Sequence, residues 1–259
     1  MKMYRIDLNS DLGESFGVYT LGNDEAILES VTSANVACGF HAGDPVVLLK
    51  TIETAVQKGT AVGAHPGHLD LMGFGRRTIA CSPEEVYAYT LYQIGAVQAA
   101  CKAKGTTLQH VKPHGALYNQ SAKDIELARA IAYAVRDAGD DIILLGLANS
   151  LYEKAAHEAG IPYAAEAFAD RAYEPEGNLV SRKKEGSVFH DAKYAAERVL
   201  RMVTEGRVEA IDGSVITLKP QSICLHGDTP EAVDMAKTIK ETLEASGVKV
   251  CSLKEVLEG

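Results

Sequence analysis

One pattern recurs along almost the whole chain: a short run of aliphatic or β-branched residues, a polar glycine-rich cluster, then a stretch of helical periodicity. The runs fall at residues 4–9, 34–37, 61–64, 110–112, 142–147, 163–167 and 222–225, and the helical stretches at 24–31, 45–58, 83–104, 124–138, 151–158, 191–205 and 230–246. Three of the stretches open with a capping residue before a proline, at Asp44-Pro45, Ser82-Pro83 and Thr229-Pro230. That is a start signal, because proline in the first turn gives up only an N–H that has no helical partner. Strands alternating with helices pair in parallel, since each crossover helix returns the chain to the same end of the sheet. Seven such units predict an α/β fold, a TIM-like (β/α) barrel of about seven parallel strands, rather than a doubly wound sheet.

Residues 170–219 break the pattern. They hold a helix and then two alternating runs, 208–218, joined at Asp212-Gly213, which read as a β-hairpin with a tight turn. The segment is too short for a core of its own, so it reads as an insertion before the last strand, and residues 1–259 as a single barrel domain. A chain of 259 residues with 46% hydrophobic and 24% charged residues can bury a sizeable core. Its formal charge of −9 argues against nucleic acid and anionic membrane surfaces as partners. The longest apolar run, near 142–148, is too short for a bilayer, and charged residues precede any apolar segment at the start. A cytoplasmic protein is expected. The five cysteines are dispersed without a C-x-x-C pair, so neither a disulfide framework nor a structural zinc cluster is indicated.

The chemistry-bearing residues gather where the runs end. The first leads into Asp7, Asn9, Asp11 and Glu14, the second into Asn35, Cys38, His41 and Asp44, and the third into His65, His68, Arg76 and Arg77. The fourth gives Lys112, His114, Tyr118 and Asn119, the sixth Glu166, Asp170 and Arg171, and the seventh His226 and Asp228. In a parallel barrel the active site is built from the loops that follow the strands. Six of the eight histidines (41, 65, 68, 110, 114 and 226) lie in or near these clusters, a grouping that scattered residues would not produce.

Asp7, Asn9 and Asp11 share one side of a strand at period two, so all three can face the barrel interior. Carboxylates facing histidines from other strands can bind a divalent metal, with Asp11, His41 and His65 as its ligands, or work as an acid–base pair. No H-x-x-x-H or H-E-x-x-H spacing decides between them. Any one of these residues can instead satisfy buried hydrogen bonds. Lys112 can polarise a carbonyl or neutralise a strand-one carboxylate. Arg76, Arg77, Arg171 and Arg182 can fork onto a substrate carboxylate or anchor their own loops. Cys38 as a nucleophile would need a base beside it. His157 and His190 lie outside the clusters and read as structural. The glycines at 39–43 and 73–75 can bring backbone amides to an anion, but no G-x-x-x-x-G-K-[ST] or strand-linked G-x-G-x-x-G occurs.

With these segments laid out, the chain resembles the LamB/YcsF family, whose members act as the A subunit of the prokaryotic ATP-dependent 5-oxoprolinase. The motifs are DLNSDLGESFG at 7–17, NVACGFHAGDP at 35–45, GAHP at 63–66 with GFGRR at 73–77, VKPHGALYN at 111–119, EAFADRAY at 166–173 and ICLHGDTP at 223–230. Six motifs in order span nearly the whole chain. The resemblance implies a seven-stranded barrel like those of the glycoside hydrolases and deacetylases. It also implies cleavage of 5-oxo-L-proline to L-glutamate coupled to hydrolysis of ATP, in a complex with subunits B and C on which the ATP can be bound. Carried over by position, Asp7, Asp11, His65, Lys112 and His114 are the catalytic candidates, and Asn9, Glu14, His41, Arg76, Arg77, Arg171 and His226 the substrate-binding ones. Asp11 or Asp7 would activate water, His114 or His65 would protonate the ring nitrogen, and Lys112 would stabilise an oxyanion. The chain departs from the family pattern at Ser10, where cysteine is common, around Gly67–Leu69, which puts His68 in doubt as a ligand, and at Glu176, where aspartate is usual. The alternatives are a metal-dependent, deacetylase-like amide hydrolase that needs no ATP and a non-catalytic substrate-binding subunit.

Overall fold

A computed structural model of the chain describes residues 3–227 and 229–259. Asp228, at the end of the seventh cluster, lies outside the described residues. In chain order the elements are β1 (Arg5–Leu12), α1 (Asp24–Ile27), β2 (Ser33–Ala37), α2 (Pro45–Lys58), β3 (Ala61–His65), α3 (Pro83–Ala103), β4 (Leu108–Val111) and α4 (Gly115–Ser121). There follow α5 (Ile125–Ala138), β5 (Ile143–Leu147), α6 (Leu151–Ala159), β6 (Tyr163–Phe168), α7 (Ala192–Glu205), β7 (Arg207–Glu209) and β8 (Val215–Thr217). The last are β9 (Ser222–Cys224), α8 (Pro230–Ala245), β10 (Lys249–Val250) and α9 (Leu253–Leu257).

Strands β1 to β6 and β9 pair in parallel in that order, and β9 pairs back onto β1, which closes a seven-stranded barrel. The strand pleat sorts side chains into two sets. Ile6, Leu8, Val36, Leu144 and Ile223 face outward into the core under the helices. The inward set is mostly polar on one side of the barrel: Asp7, Asn9, Ser33, Asn35, His110 and Ser222 are all buried there. The space between β3 and β4 depends on Gly63, where a Cβ would stand 2.1 Å from the His110 ring.

The three proline-opened helices are capped as expected. Asp44 accepts from the N–H of Val46 and Val47, Ser82 from Glu85, and Thr229 from Ala232. Several bounds differ from expectation. Strand β1 continues to Leu12 instead of stopping at residue 9, because the inward polar side chains find partners inside the barrel. Helix α1 has only 4 residues, and α4 forms where a loop was expected. The β7–β8 pair is antiparallel, but its connection is the five residues 210–214, looser than a two-residue turn. Between β6 and α7 the chain is irregular. It is held by the buried Arg198 of α7, which donates to the carbonyls of Phe168, Ala169 and Arg171 at 3.0, 3.1 and 2.7 Å. Among the described residues no helix is long and apolar enough to cross a membrane.

Candidate active site

The barrel interior is stacked in polar layers whose depth follows the residue number along β1. In the lowest, Asp7 accepts hydrogen bonds from Thr32 (2.7 Å), Ser33 (2.6 Å) and Ser222. Above it, Asn9 donates to Ser222 and accepts from Asn35, both at 2.7 Å, and Asn35 accepts from His110 Nε2 at 2.7 Å. The third layer opens into the cavity. Lys112 Nζ, from the end of β4, lies 2.9 Å from Asp11 Oδ1, 2.8 Å from Glu166 Oε1 and 3.2 Å from Asn9 Oδ1. Tyr118 donates to the other oxygen of Glu166 at 2.7 Å.

Burial opposes the charge on Lys112, but Asp11 and Glu166 outweigh it and hold the ammonium well above the ordinary lysine value. The neighbouring Cys224 stays a neutral thiol, because burial pushes its pKa up. Burial likewise works against the Asp11 carboxylate, and His65 and Lys112 override it, so Asp11 stays well below the usual carboxylate range. Asp7 lacks such a cation. Burial pushes it up to about 6 in spite of its three hydroxyl donors.

At the rim stands a cluster of Glu14, His41, His65 and His114, whose ligating atoms lie within 4.8 Å of one another. His65 Nε2 is 3.0 Å from His114 Nδ1 and 3.2 Å from Asp11 Oδ2. His41 reaches Glu14 at 3.3 Å and stacks on His114, with ring centroids 3.6 Å apart. Burial depresses the pKa of His41, His110 and His114, the last two to about 3. The loop 73–75 covers this cluster: a Cβ at Gly75 would meet the His41 Cβ at 2.7 Å and the His114 ring at 2.8 Å. Gly75 therefore serves close packing on imidazoles, and the Gly73 amide is spent within the loop on Asp70, to which it donates at 2.9 Å.

Above the rim lies a cavity of about 670 Å³, lined by Asp11, Glu14, His65, Lys112 and His114 on one side. The irregular segment after β6 adds Arg171, Glu174, Asn178 and Arg182, together with His226, while Arg76 stands on the imidazole side, over the Phe74 ring. Arg182 sits 3.1 Å from His226 Nε2, whose Nδ1 is 2.9 Å from Asp170. Burial works against the charged imidazole, and Asp170 outweighs it and raises the His226 pKa. The cavity thus joins the carboxylate and imidazole cluster to Arg171, Arg182 and His226.

Of the residues singled out from sequence, Asp11, Glu14, His65, Arg76, Lys112, His114, Arg171 and His226 line this cavity. Asp7 and Asn9 are fully buried in the layers below it. His41 lies behind His114. Arg77 turns away and binds Asp70, and His68 faces Gln120 at 2.9 Å. Cys38 is buried, its thiol pushed up to about 12, which does not suit a nucleophile. Glu166 and Asn35, read among the strand-end clusters but given no site role, complete the polar layers with Ser222, which sequence reasoning missed. Glu166 did carry a signal, an acid inside the apolar run YAAEAF.

Fold and site together define a class: a closed parallel (β/α) barrel with an ionisable cluster at the carboxyl ends of its strands, where barrel active sites are built. Residues 6–258 match the LamB/YcsF family, and the chain belongs to it. The A subunit of 5-oxoprolinase from Alkaliphilus metalliredigens is 52% identical over 256 residues, covering 99% of this chain and 100% of that one. Its counterpart from Pyrococcus horikoshii is 52% identical over 253 residues, covering 98% and 99%. The crystal structure of the lactam utilization protein from Thermus thermophilus matches with a TM-score of 0.91 at 48% identity, over 96% of this chain and 99% of that one. A T48 deacetylase solved with substrate has a TM-score of 0.53 at 13% identity, over 99% and 92% of the two chains, and shares the fold alone.

Proposed function

We propose that this chain is the A subunit of an ATP-dependent 5-oxoprolinase, which opens 5-oxo-L-proline to L-glutamate as ATP becomes ADP and phosphate. The reading rests on relatives half identical over their whole length that are named as the A subunit of 5-oxoprolinase. The two-sided cavity is consistent with it. A five-membered lactam is a poor electrophile whose amine leaving group stays tethered for re-closure. Phosphorylating its carbonyl oxygen makes the ring carbon attackable. Water then adds, the C–N bond breaks as nitrogen takes a proton, and the resulting γ-glutamyl phosphate is hydrolysed by a second water.

In this scheme partner subunits B and C bind ATP and activate the lactam, and the barrel carries the water step. Asp11 is its base or orienter: Oδ1 is fixed by Lys112 and Asn35, while Oδ2 faces the cavity side of His65. His65, beside Asp11, is placed to pass a proton to the ring nitrogen. Of the two roles read for Lys112, neutralising a strand-one carboxylate fits better, because its ammonium is surrounded by Asp11, Glu166, Asn9 and the Cys224 sulfur. It holds Asp11 in place, and Arg76, Arg171 and Arg182 receive the substrate's anionic groups.

The test is glutamate release from 5-oxoproline and ATP by this chain alone, the partner subunits alone, and the mixture. Turnover only in the mixture is expected, and Asp11→Asn should lower it roughly 10²-fold or more. A mixture with no turnover would remove the lactamase reading. Normal turnover in the variant would remove Asp11 from the scheme.

A further inference from the structure

Hydrogen-bond chemistry at the rim leaves an electrostatic deficit. A backbone carbonyl can only accept, so a ring nitrogen facing one carries the hydrogen. His65 Nδ1 lies 2.7 Å from the carbonyl of Lys112, and His114 Nε2 lies 2.9 Å from the carbonyl of Phe74. In the neutral rings His65 Nε2 and His114 Nδ1 are therefore bare lone pairs, and they face each other at 3.0 Å. Asp11 Oδ2, a third acceptor, stands 3.2 Å from the same His65 nitrogen. Glu14 Oε1 comes within 3.7 Å of His114 Nδ1. Electron-rich atoms converge here from β1, the loop after it, β3 and the turn after β4, and a positive charge must lie among them.

We infer that this cluster is a binding site for a divalent transition-metal ion, with His65 Nε2, His114 Nδ1, Asp11 Oδ2 and Glu14 Oε1 as the donors. Ligands bonded at about 2.0–2.1 Å and separated by roughly 90–110° stand about 3.0–3.4 Å apart, the range of the two closest pairs here. The mixed nitrogen and carboxylate set suits zinc, cobalt or manganese better than calcium or magnesium. The surrounding groups match what metal-bound histidines require, a partner on the second ring nitrogen that fixes tautomer and orientation. Lys112 and Phe74 supply those carbonyls. Phe74 does so from φ +52°, a left-handed backbone that non-glycine residues seldom adopt. His41 gives its Nε2 hydrogen to Glu14, leaving its buried Nδ1 without a partner. It positions Glu14 and is not itself a donor, since its ring stacks flat on His114. The expected ligand set of Asp11, His41 and His65 thus changes by exchange of His41 for His114 and by the addition of Glu14. The acid and base roles of His65 and Asp11 belong to the ion-free cluster: with the ion bound, His65 Nε2 and Asp11 Oδ2 are its ligands and neither moves a proton. The site itself stands apart from the identity of the lactam.

The experiment uses the full chain, stripped with a chelator and dialysed. Zn²⁺ binding is followed by calorimetry and Co²⁺ binding by its visible d–d absorption. One site per chain is expected. His65→Ala and His114→Gln should each weaken it at least about 10²-fold, and His41→Ala by about 10- to 100-fold as an outer-shell change. His157→Ala, on an exposed helix face, should not alter it. Circular dichroism of the metal-free variants separates loss of the site from loss of fold. Two results would overturn the inference: no saturable site in the folded wild-type chain, or equal affinity in the His65→Ala and His114→Gln variants. A ¹⁵N spectrum of the metal-free chain showing an imidazolium at His65 or His114 near pH 7, with no metal uptake, would identify the missing charge as a proton.

Discussion

Lys112 keeps its charge inside the barrel because Asp11 and Glu166 stand within 2.9 Å of its nitrogen. Removing one partner from a buried ion pair leaves an uncompensated charge, at a cost of about 3–5 kcal/mol. Lys112→Met should lower the unfolding free energy by about that much in urea titrations at pH 7, and adding Glu166→Gln should recover part of the loss. A loss under about 1 kcal/mol, the scale of an exposed pair, would mean that water reaches these carboxylates. Asp7 presents the opposite case, a carboxyl with donors but no cation. Folding raises its pKa from 3.8 to about 6, so the folded chain holds that proton more tightly than the unfolded one. The resulting stabilisation is complete below 3.8 and is lost as pH climbs through about 6. Asp7→Asn should therefore gain on the wild type between pH 4 and 7 by on the order of 3 kcal/mol, read from paired denaturation curves. Parallel curves across that range would show that Asp7 ionises freely. The common inward direction of Asp7, Asn9 and Asp11 is legible in the sequence, since the pleat fixes it. Which of the three meets the cavity is not, because depth depends on where six other strands begin and end.

Loops acquire their shape from contacts between elements. The turns after β1 and β2 are pinned together where Gly43, at φ +75°, packs so closely that a Cβ would stand 2.7 Å from the Gly13 carbonyl oxygen. Gly59, at φ +72° just after α2, has nothing within 4 Å of such a Cβ. Alanine at either glycine meets the left-handed backbone cost of about 1–2 kcal/mol. Only Gly43→Ala adds a backbone clash, and overpacking of that kind typically costs about 1–3 kcal/mol more. Thermal melts should place Gly43→Ala clearly below Gly59→Ala, and turnover should fall with it because Gly13 precedes Glu14. Equal melting points would mean that the two turns move apart freely. Helices α2, α3 and α8 are legible in the sequence because capping residue and proline act locally. Helix α4 and strand β10 are not. The first begins directly after His114, inside what reads as a loop motif, and the second has two residues that are a strand only because Arg5 and Ile6 lie beside them.

The barrel interior is divided lengthwise, and that division joins the C-terminal segment to the chemistry of the opposite strands. The polar residues come mostly from β1, β2, β4 and β9, joined nearer the cavity by His65 of β3 and Glu166 of β6, whereas Ile143, Leu145 and Ala164 at the starts of β5 and β6 form a separate apolar cluster with Leu253 of α9. Helix α9 thus reaches the amino-terminal end of the barrel, the end away from the cavity, and stops it with a leucine. From its next residue a relay runs inward: the Lys254 N–H donates to Gln109, Gln109 donates to Ser33, and Ser33 donates to Asp7. Desolvation that raises the Asp7 pKa is therefore expected to depend on this stopper as well as on the strands. Leu253→Ala should cost about 2–5 kcal/mol as a buried leucine truncation. It should also let water approach Asp7, so the carboxyl's titration, followed by ¹³C NMR, should move from about 6 back toward 3.8. Metal and substrate binding at the far end should be unchanged in the folded variant, since His65, Glu14 and the arginine wall belong to the opposite mouth. A destabilised variant whose Asp7 still titrates near 6 would show that the strands alone keep that pocket dry, and that α9 contributes packing only.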